Sequence, residues 1–426
     1  MSKLTRIVWL RSLRDRQILI FTAARIGGLA MKPLIIFVAA SAGRDVFAER
    51  YALLISALAS LFVLTGGQTH IDYYKRRFGA NTLAIRHHYE RYFGDSIIQF
   101  IAVLPFVALL AWAWTPETSL IALIVVLVGI EKFFDEDQRH FLFTKQYGRW
   151  SLNFGARVIV PSLIILPAIW LVTEPLILIY AGGSAVSFVL YLFVRRRHTR
   201  FHVRLFRRHL ASITSQGRMV FKRFWVRWRS EYAFNQAWTF TSINIYLIDR
   251  FWVANASDLR LDVYVFFDSI LKVAVVGHSL FYFTPRRPHL IKAETQPAAE
   301  LLRIPNLALP ALLCLGGVAI ATGFTELMPD YRWIPFTMLA GMGFFYFLQA
   351  ASLVMVEAVF WRASRRKLLT IDILSMALIF CLYLLLRPDL WAVPWIASIG
   401  VAARIAFYLF VSRTDMLSDR GCKSAS

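Results

Sequence analysis

Cysteine is scarce in this chain, and the three that occur, Cys314, Cys381 and Cys422, are far apart, with two of them in apolar runs. That spacing excludes a CxxC metal or redox motif and a disulfide framework. Acidic residues are few as well: 26 Asp and Glu stand against 48 Lys and Arg, for a formal net charge of +22. No GxxxxGK[ST] phosphate loop, HExxH, GxSxG or Cys/His ligand cluster is present. The expectation is therefore a chain with no P-loop ATPase site, no metal, no cofactor and none of the usual residue sets for catalysis. Charged residues of both signs make up only 17% of the chain and apolar ones 58%, which is too apolar for a soluble domain and points to the bilayer as solvent.

A spanning helix needs about 20 mainly apolar residues. Twelve runs qualify: 18–40, 51–71, 95–114, 118–134, 151–173, 176–194, 232–254, 262–283, 304–327, 333–356, 368–386 and 390–411. The basic residues fall in blocks between these runs, which makes them a topology signal rather than a nucleic-acid footprint. Counting Lys132, at the end of the fourth run, with the loop after it, 37 of the 48 basic residues lie in the N-terminal segment, the even-numbered loops and the C-terminal segment. Five lie in the odd-numbered loops, and the remaining six, Arg25, Lys32, Arg157, Arg250, Lys272 and Arg404, lie inside spans. Cytoplasmic loops retain Lys and Arg, so both termini are expected in the cytoplasm of a bacterial inner-membrane protein. The basic segment 1–17 reads as a cytoplasmic interfacial stretch with no cleavage pattern after a short apolar core. Expected organisation is an all-α integral membrane protein of about 12 spans in two six-helix lobes, 1–194 and 232–426. Between them 195–231 forms a basic linker suited to lie on anionic lipid headgroups or to bind a partner. Every loop expected to face the periplasm is short, which leaves no room for an extracytoplasmic catalytic domain.

Charge inside a span is costly, roughly 2.5–3.5 kcal/mol at a helix centre, so intramembrane cations draw attention. Arg25 and Lys32 are seven residues apart, nearly two turns, and share a face beside Gly27 and Gly28 that is expected to line something wet. Asp268 and Lys272 have the favourable i,i+4 order for an ion pair. Asp249 and Arg250 are neighbours and point about 100° apart. Arg157 and Arg404 read as inter-helix ion pairs or snorkelling residues. Arg25, Lys32, Arg250 and Lys272 read as cavity-lining cations that would attract a phosphate-bearing substrate, Arg forking onto oxygens and Lys acting as a point charge. Carboxylates available for coupling or gating are Glu131, Asp135, Asp249, Asp268 and Glu357, with Glu131, in the run EKFFDEDQRH, also readable as a solvated helix end.

Residues 242–293, SINIYLIDRFWVANASDLRLDVYVFFDSILKVAVVGHSLFYFTPRRPHLIKA, carry an Asp249-Arg250 pair, a Ser257-Asp258 turn, Tyr264 and prolines at Pro285 and Pro288. This pattern resembles the start of the second half of bacterial oligosaccharide flippases of the MOP exporter superfamily, where an Asp-Arg pair ends the seventh helix. The first half is similar in its basic N-terminus, its Arg- and Gly-containing first span and GGQTHIDYYKRRFG at 66–79. The chain departs from the family pattern in having no glycine directly before Tyr264 or after Asp72. The resemblance implies a two-lobed MATE/MOP-like bundle with a cationic cavity that moves a polyprenyl-pyrophosphate-linked oligosaccharide to the periplasmic leaflet by alternating access, without ATP. Under it Arg25, Lys32, Arg250 and Lys272 hold the pyrophosphate, and a polysaccharide polymerase or glycosyltransferases are the expected partners besides membrane lipids. Three other readings compete: a cation-coupled exporter of small molecules on the same fold, a non-transporting scaffold of a polysaccharide-synthesis complex, and a membrane enzyme such as a glycan polymerase or acyltransferase, which the lack of a long periplasmic loop disfavours.

Overall fold

The computed structural model describes residues 16–66, 82–143, 146–172, 176–229, 233–256, 260–283, 286, 290, 296–328, 331–360 and 365–423. Segments 1–15, 67–81, 257–259, 284–285 and 287–289, which hold most of the N-terminal basic stretch, the GGQTHIDYYKRRFG motif, the Ser257-Asp258 turn, Pro285 and Pro288, lie outside them. The chain folds as two compact units, Met1–Gln236 and Ala237–Ser426, and every regular element among the described residues is helical.

In the first unit, α1 (Arg16–Ser41) is followed by α2 (Asp45–Gly66), α3 (Thr82–Trp114) and α4 (Thr118–Phe143). The next span is composite: α5 (Tyr147–Phe154), a π-helical turn at Gly155–Ile159, and α6 (Val160–Leu171). Then come α7 (Leu176–Val194) and the basic α8 (Arg196–Arg227). The core includes Ile35, Ile36, Tyr51, Leu54, Phe134 and Ile165. At Gly28 the α1 backbone comes so close to α5 that the Phe154 ring, itself stacked on Trp150, occupies the space a Cβ would need.

α9 (Ala233–Asn244) leads into the second unit, which continues with α10 (Ile248–Asn255), α11 (Leu261–Leu271), α12 (Val273–His278) and a π-helical turn at Ser279–Phe283. The short α13 (Pro297–Leu301) is followed by α14 (Ile304–Leu327), α15 (Phe336–Phe360), α16 (Arg365–Leu386) and α17 (Val393–Lys423). α15 is the most enclosed of the long helices and packs against α14 and α17. Gly341 on it admits the Trp395 indole, whose Nε1 donates to the Thr337 carbonyl at 3.0 Å.

Among the described residues, ten helical segments are long and apolar enough to cross a membrane, as a multi-pass membrane protein requires. They carry large apolar side chains outward: Leu109, Trp112, Trp170 and Phe193 in the first unit, Leu312, Leu315 and Leu385 in the second, are all more than half exposed. Such a surface would drive association in water and is the ordinary lipid-facing surface in a bilayer.

Two of the twelve expected runs fall outside those ten. The run 118–134 is helical within α4, but Glu131 and Lys132 load its last turn with charge and Asp135 follows directly. The run 232–254, expected as one helix, is broken at Ile245–Leu247, where Tyr246 N–H and Leu247 N–H bond back three residues, to Ile243 and Asn244. Just before the break, Thr241 Oγ1 and Asn244 Nδ2 donate to the carbonyls of Ala237 and Phe240, four residues back, and such side-chain bonds weaken the helical ladder, although Ser162, Ser184, Ser375 and Ser398 make them without a break.

Candidate functional site

The break between α9 and α10 decides where the charges of the second unit go. Asp249 and Arg250 were expected at the end of a helix; instead they open α10, where the positive end of the helix dipole favours Asp249. Asp249 Oδ1 accepts the Arg250 backbone N–H at 2.8 Å, and Oδ2 accepts the Tyr264 hydroxyl of α11 at 2.6 Å. Arg250 reaches across to Asp268 of α11 through Nη2, and the Tyr346 hydroxyl of α15 donates to the other oxygen of Asp268. All three charged groups are nearly sealed, with Asp249, Arg250 and Asp268 at 1%, 4% and 1% exposure. Trp252 of α10 stacks on Tyr383 of α16 with ring centroids 5.3 Å apart.

This arrangement corrects the i,i+4 expectation for Asp268 and Lys272. The partner of Asp268 is Arg250, eighteen residues away in sequence. Lys272 sits half-buried at the joint between α11 and α12, where the helix is interrupted. It lies close enough to Asp249 and Arg250 to feel both charges, yet no carboxylate among the described residues is within ion-pair reach of it. Arg250 is itself incompletely satisfied, because its Nε is buried without a partner. A buried unmet donor costs about 1–3 kcal/mol, so the cluster holds hydrogen-bonding capacity that the protein does not use.

A second buried cluster lies in the same unit. Arg404 of α17 grips both oxygens of Asp372 on α16, Nε to Oδ1 at 2.7 Å and Nη2 to Oδ2 at 2.9 Å. Its remaining donors reach the Tyr246 hydroxyl at 2.6 Å and Ser242 Oγ at 2.5 Å, and Tyr408 donates to Asp372 Oδ1 at 2.8 Å. The inter-helix pair expected for Arg404 is present, and it ties α9, α16 and α17 together. Sequence reasoning passes over Asp372, although it is the single acidic residue of the run 368–386 and so the obvious partner for a buried arginine.

In the first unit, Arg25 and Lys32 are both half-buried on α1. Arg25 has no hydrogen-bond or ion-pair partner among the described residues; Lys32 has an interaction of its own. The face between them is covered at Gly28 by Phe154. Glu131 is not a solvated helix end. It pairs with Arg157 of the π-helical turn, which also donates to Gln138 at 3.1 Å and lies over the Phe62 ring at 5.6 Å. Its neighbours are equally engaged: Asp135 with Arg139 at 2.6 Å, Glu136 with Lys132 and Tyr92, and Asp137 with the Tyr191 hydroxyl at 2.7 Å. Beyond the apolar run, burial would push the Glu136 carboxyl up, but Lys132 and Arg139 beside it, with hydrogen bonds from Lys132 and Tyr92, bring it below the usual carboxylate range. Glu357 is half-buried near the C-terminal end of α15 and has an interaction of its own.

No family model, no curated protein and no solved structure matches this chain. What the site can do rests on its own chemistry. Among the named cations, Arg404 and Arg157 are held by carboxylates, Arg250 is held on one side only, and Arg25 and Lys272 have no carboxylate partner among the described residues.

Proposed function

We propose that this chain is an inner-membrane transporter of an anionic lipid-linked oligosaccharide, of the polyprenyl-pyrophosphate class, working by alternating access. In this reading α4 and the broken α9–α10 pair cross the bilayer with the ten apolar segments, giving twelve spans with both termini in the cytoplasm, as the distribution of Lys and Arg favours. The observation that carries the reading is the pairing in the second unit. Two helices are interrupted, at Ile245–Leu247 and at Lys272, and these interruptions gather Arg250 and Lys272, of which only Arg250 is ion-paired among the described residues. Interrupted helices whose ends and side chains meet a charged substrate are a recurrent device of secondary transporters. A diphosphate suits a guanidinium fork with a free edge and a neighbouring ammonium. Arg25 supplies a further cation in the first unit. The lipid tail stays in the bilayer, and only the charged headgroup and glycan need a polar path.

The test is a leaflet-resolved flipping assay in proteoliposomes, with polyprenyl-pyrophosphate oligosaccharide as substrate and a membrane-impermeant reagent reading the outer leaflet. Wild type should flip the lipid, and Arg25→Ala and Lys272→Gln should lose at least tenfold in rate while keeping the wild-type melting temperature. Wild-type protein that flips no such lipid overturns the proposal. A second reading draws on Asp249 and Asp268, which formally balance Arg250 and Lys272: a cation-coupled exporter on the same architecture. It requires transport of a small solute that stops when the proton or sodium gradient is collapsed.

A further inference from the structure

The basic segment between α7 and α9 is a single 32-residue helix, about 48 Å long, with ten Lys and Arg and no acidic residue. Its two sides differ. Leu205 and Phe224 are buried, at 5% and 3% exposure, where the helix packs on α3 and α7. On the opposite side Arg204, Arg207, Arg218, Phe221, Lys222 and Trp225 are all exposed and fall within an arc of about 100°. Half of the Phe221 and Trp225 side chains lies open, at 50% and 49% exposure. Trp225 stacks on Trp228 with ring centroids 5.2 Å apart, and no other helix among the described residues covers the outer side of this stripe.

Both ends of the helix are fixed at ends of spans. It follows α7 after Arg195 alone, whose N–H bonds to the Tyr191 carbonyl at 2.9 Å and whose guanidinium lies 4.5 Å over the Phe141 ring. At the other end Trp228 Nε1 donates to Gln236 Oε1 at 2.9 Å, and Gln236 Nε2 donates to the Leu64 carbonyl in the last turns of α2 at 2.6 Å. In the alternating series of spans proposed above, α2 and α7 end on the same face. A helix tethered to both runs along that face instead of projecting from it.

We propose that α8 is a docking surface for anionic lipid headgroups. Arg204, Arg207, Arg218 and Lys222 bind phosphates, and Phe221 and Trp225 insert into the boundary between headgroups and acyl chains. Charge complementarity selects this occupant: two cationic groups, Arg204 with Arg207 and Arg218 with Lys222, the second flanked by Phe221 and Trp225, fit a negatively charged lipid surface, and the helix has no acidic residue to oppose them. The idea is independent of the transported substrate, since it concerns a different face of the protein.

The experiment uses the full chain in nanodiscs, with a spin label at Phe221→Cys or Trp225→Cys after Cys314, Cys381 and Cys422 are replaced by serine. Label accessibility to oxygen and to a water-soluble nickel complex is compared in phosphatidylcholine and in a phosphatidylglycerol-rich mixture. The labels should favour oxygen over nickel in the anionic discs and shift toward nickel in neutral discs. Replacing the four cations by glutamine should produce the same shift in anionic discs, whereas replacing the three arginines by lysine should leave the labels immersed, which separates charge from folding. Labels equally open to nickel in both lipids overturn the proposal. So do labels closed to both reagents in both lipids, because they report a protein partner, such as a second copy, on the stripe.

Discussion

Arg404 and Arg250 are both buried arginines of the second unit, each facing a buried aspartate on another helix, yet they are satisfied to different degrees. Arg404 spends its donors on both oxygens of Asp372, on Tyr246 and on Ser242. Arg250 meets one oxygen of Asp268, keeps an unpartnered Nε, and has Lys272 and Asp249 for neighbours. A saturated pair has a single arrangement and acts as a staple between helices. An unsaturated one has alternatives, because Asp268 can be claimed by Arg250 or, by helix geometry, by Lys272 one turn on. In the transporter proposed above, an arriving anion would take up whichever cation is released. The difference in hydrogen-bond completeness therefore separates the fold-holding cluster from the candidate binding cluster, where charge and burial alone would not.

The largest expected effect breaks the staple. Arg404→Ala or Asp372→Asn leaves the other member buried without its partner, which costs about 3–5 kcal/mol. In detergent, thermal unfolding should drop sharply or lose cooperativity. The paired replacement Arg404→Met with Asp372→Leu should recover much of that loss, since removing both charges also removes the desolvation cost. If the paired variant is no better than the singles, the cluster is not a closed unit.

Next in size is a double-mutant cycle on the unsaturated cluster. Asp268→Asn with Arg250→Gln should show a coupling energy of about 1–3 kcal/mol, and Asp268→Asn with Lys272→Gln a distinctly smaller one, read from the midpoints of unfolding. Equal couplings would mean that the i,i+4 pair forms as readily as the one across helices. Much of the architecture was legible in the residues: run length and charge spacing locate nearly every long helix, because a bilayer demands about 20 apolar residues in a row. The break at Ile245–Leu247 was not, because side chains such as Thr241 and Asn244 turn back on the backbone in broken and unbroken helices alike, and packing decides which. Nor was the true partner of Asp268. Sequence spacing reports neighbours on one helix, and the inter-helix competitor Arg250 becomes visible only once α10 and α11 are side by side.

Smaller again is the stability cost of losing Lys272 alone. With no carboxylate among the described residues in ion-pair reach and its surface only partly buried, Lys272→Gln should change the unfolding free energy by no more than about 0.5 kcal/mol, the range of substitutions away from specific contacts. Paired with the loss of flipping proposed above, this separates a residue kept for binding from one kept for folding. A fall in stability comparable to that of Arg404→Ala would place Lys272 with the staples.

The smallest effect is a pH dependence, and it sets a third pair beside the two arginines, this one past the apolar run of α4. Glu136 accepts from Lys132, Tyr92 and Ser96, the last at 2.9 Å, and its carboxyl is held below the usual range by Lys132 and Arg139 against the opposing pull of burial. A carboxyl with a depressed folded-state value contributes stability that is complete above the ordinary carboxylate range and disappears as pH falls through that range to the depressed value, because the unfolded chain takes up the proton first. Wild type should therefore lose more of its melting temperature between neutral and mildly acid pH than Glu136→Gln, which has no proton to gain at that position. Parallel pH profiles for the two proteins would show that the Lys132–Glu136 contact contributes nothing to stability beyond its geometry.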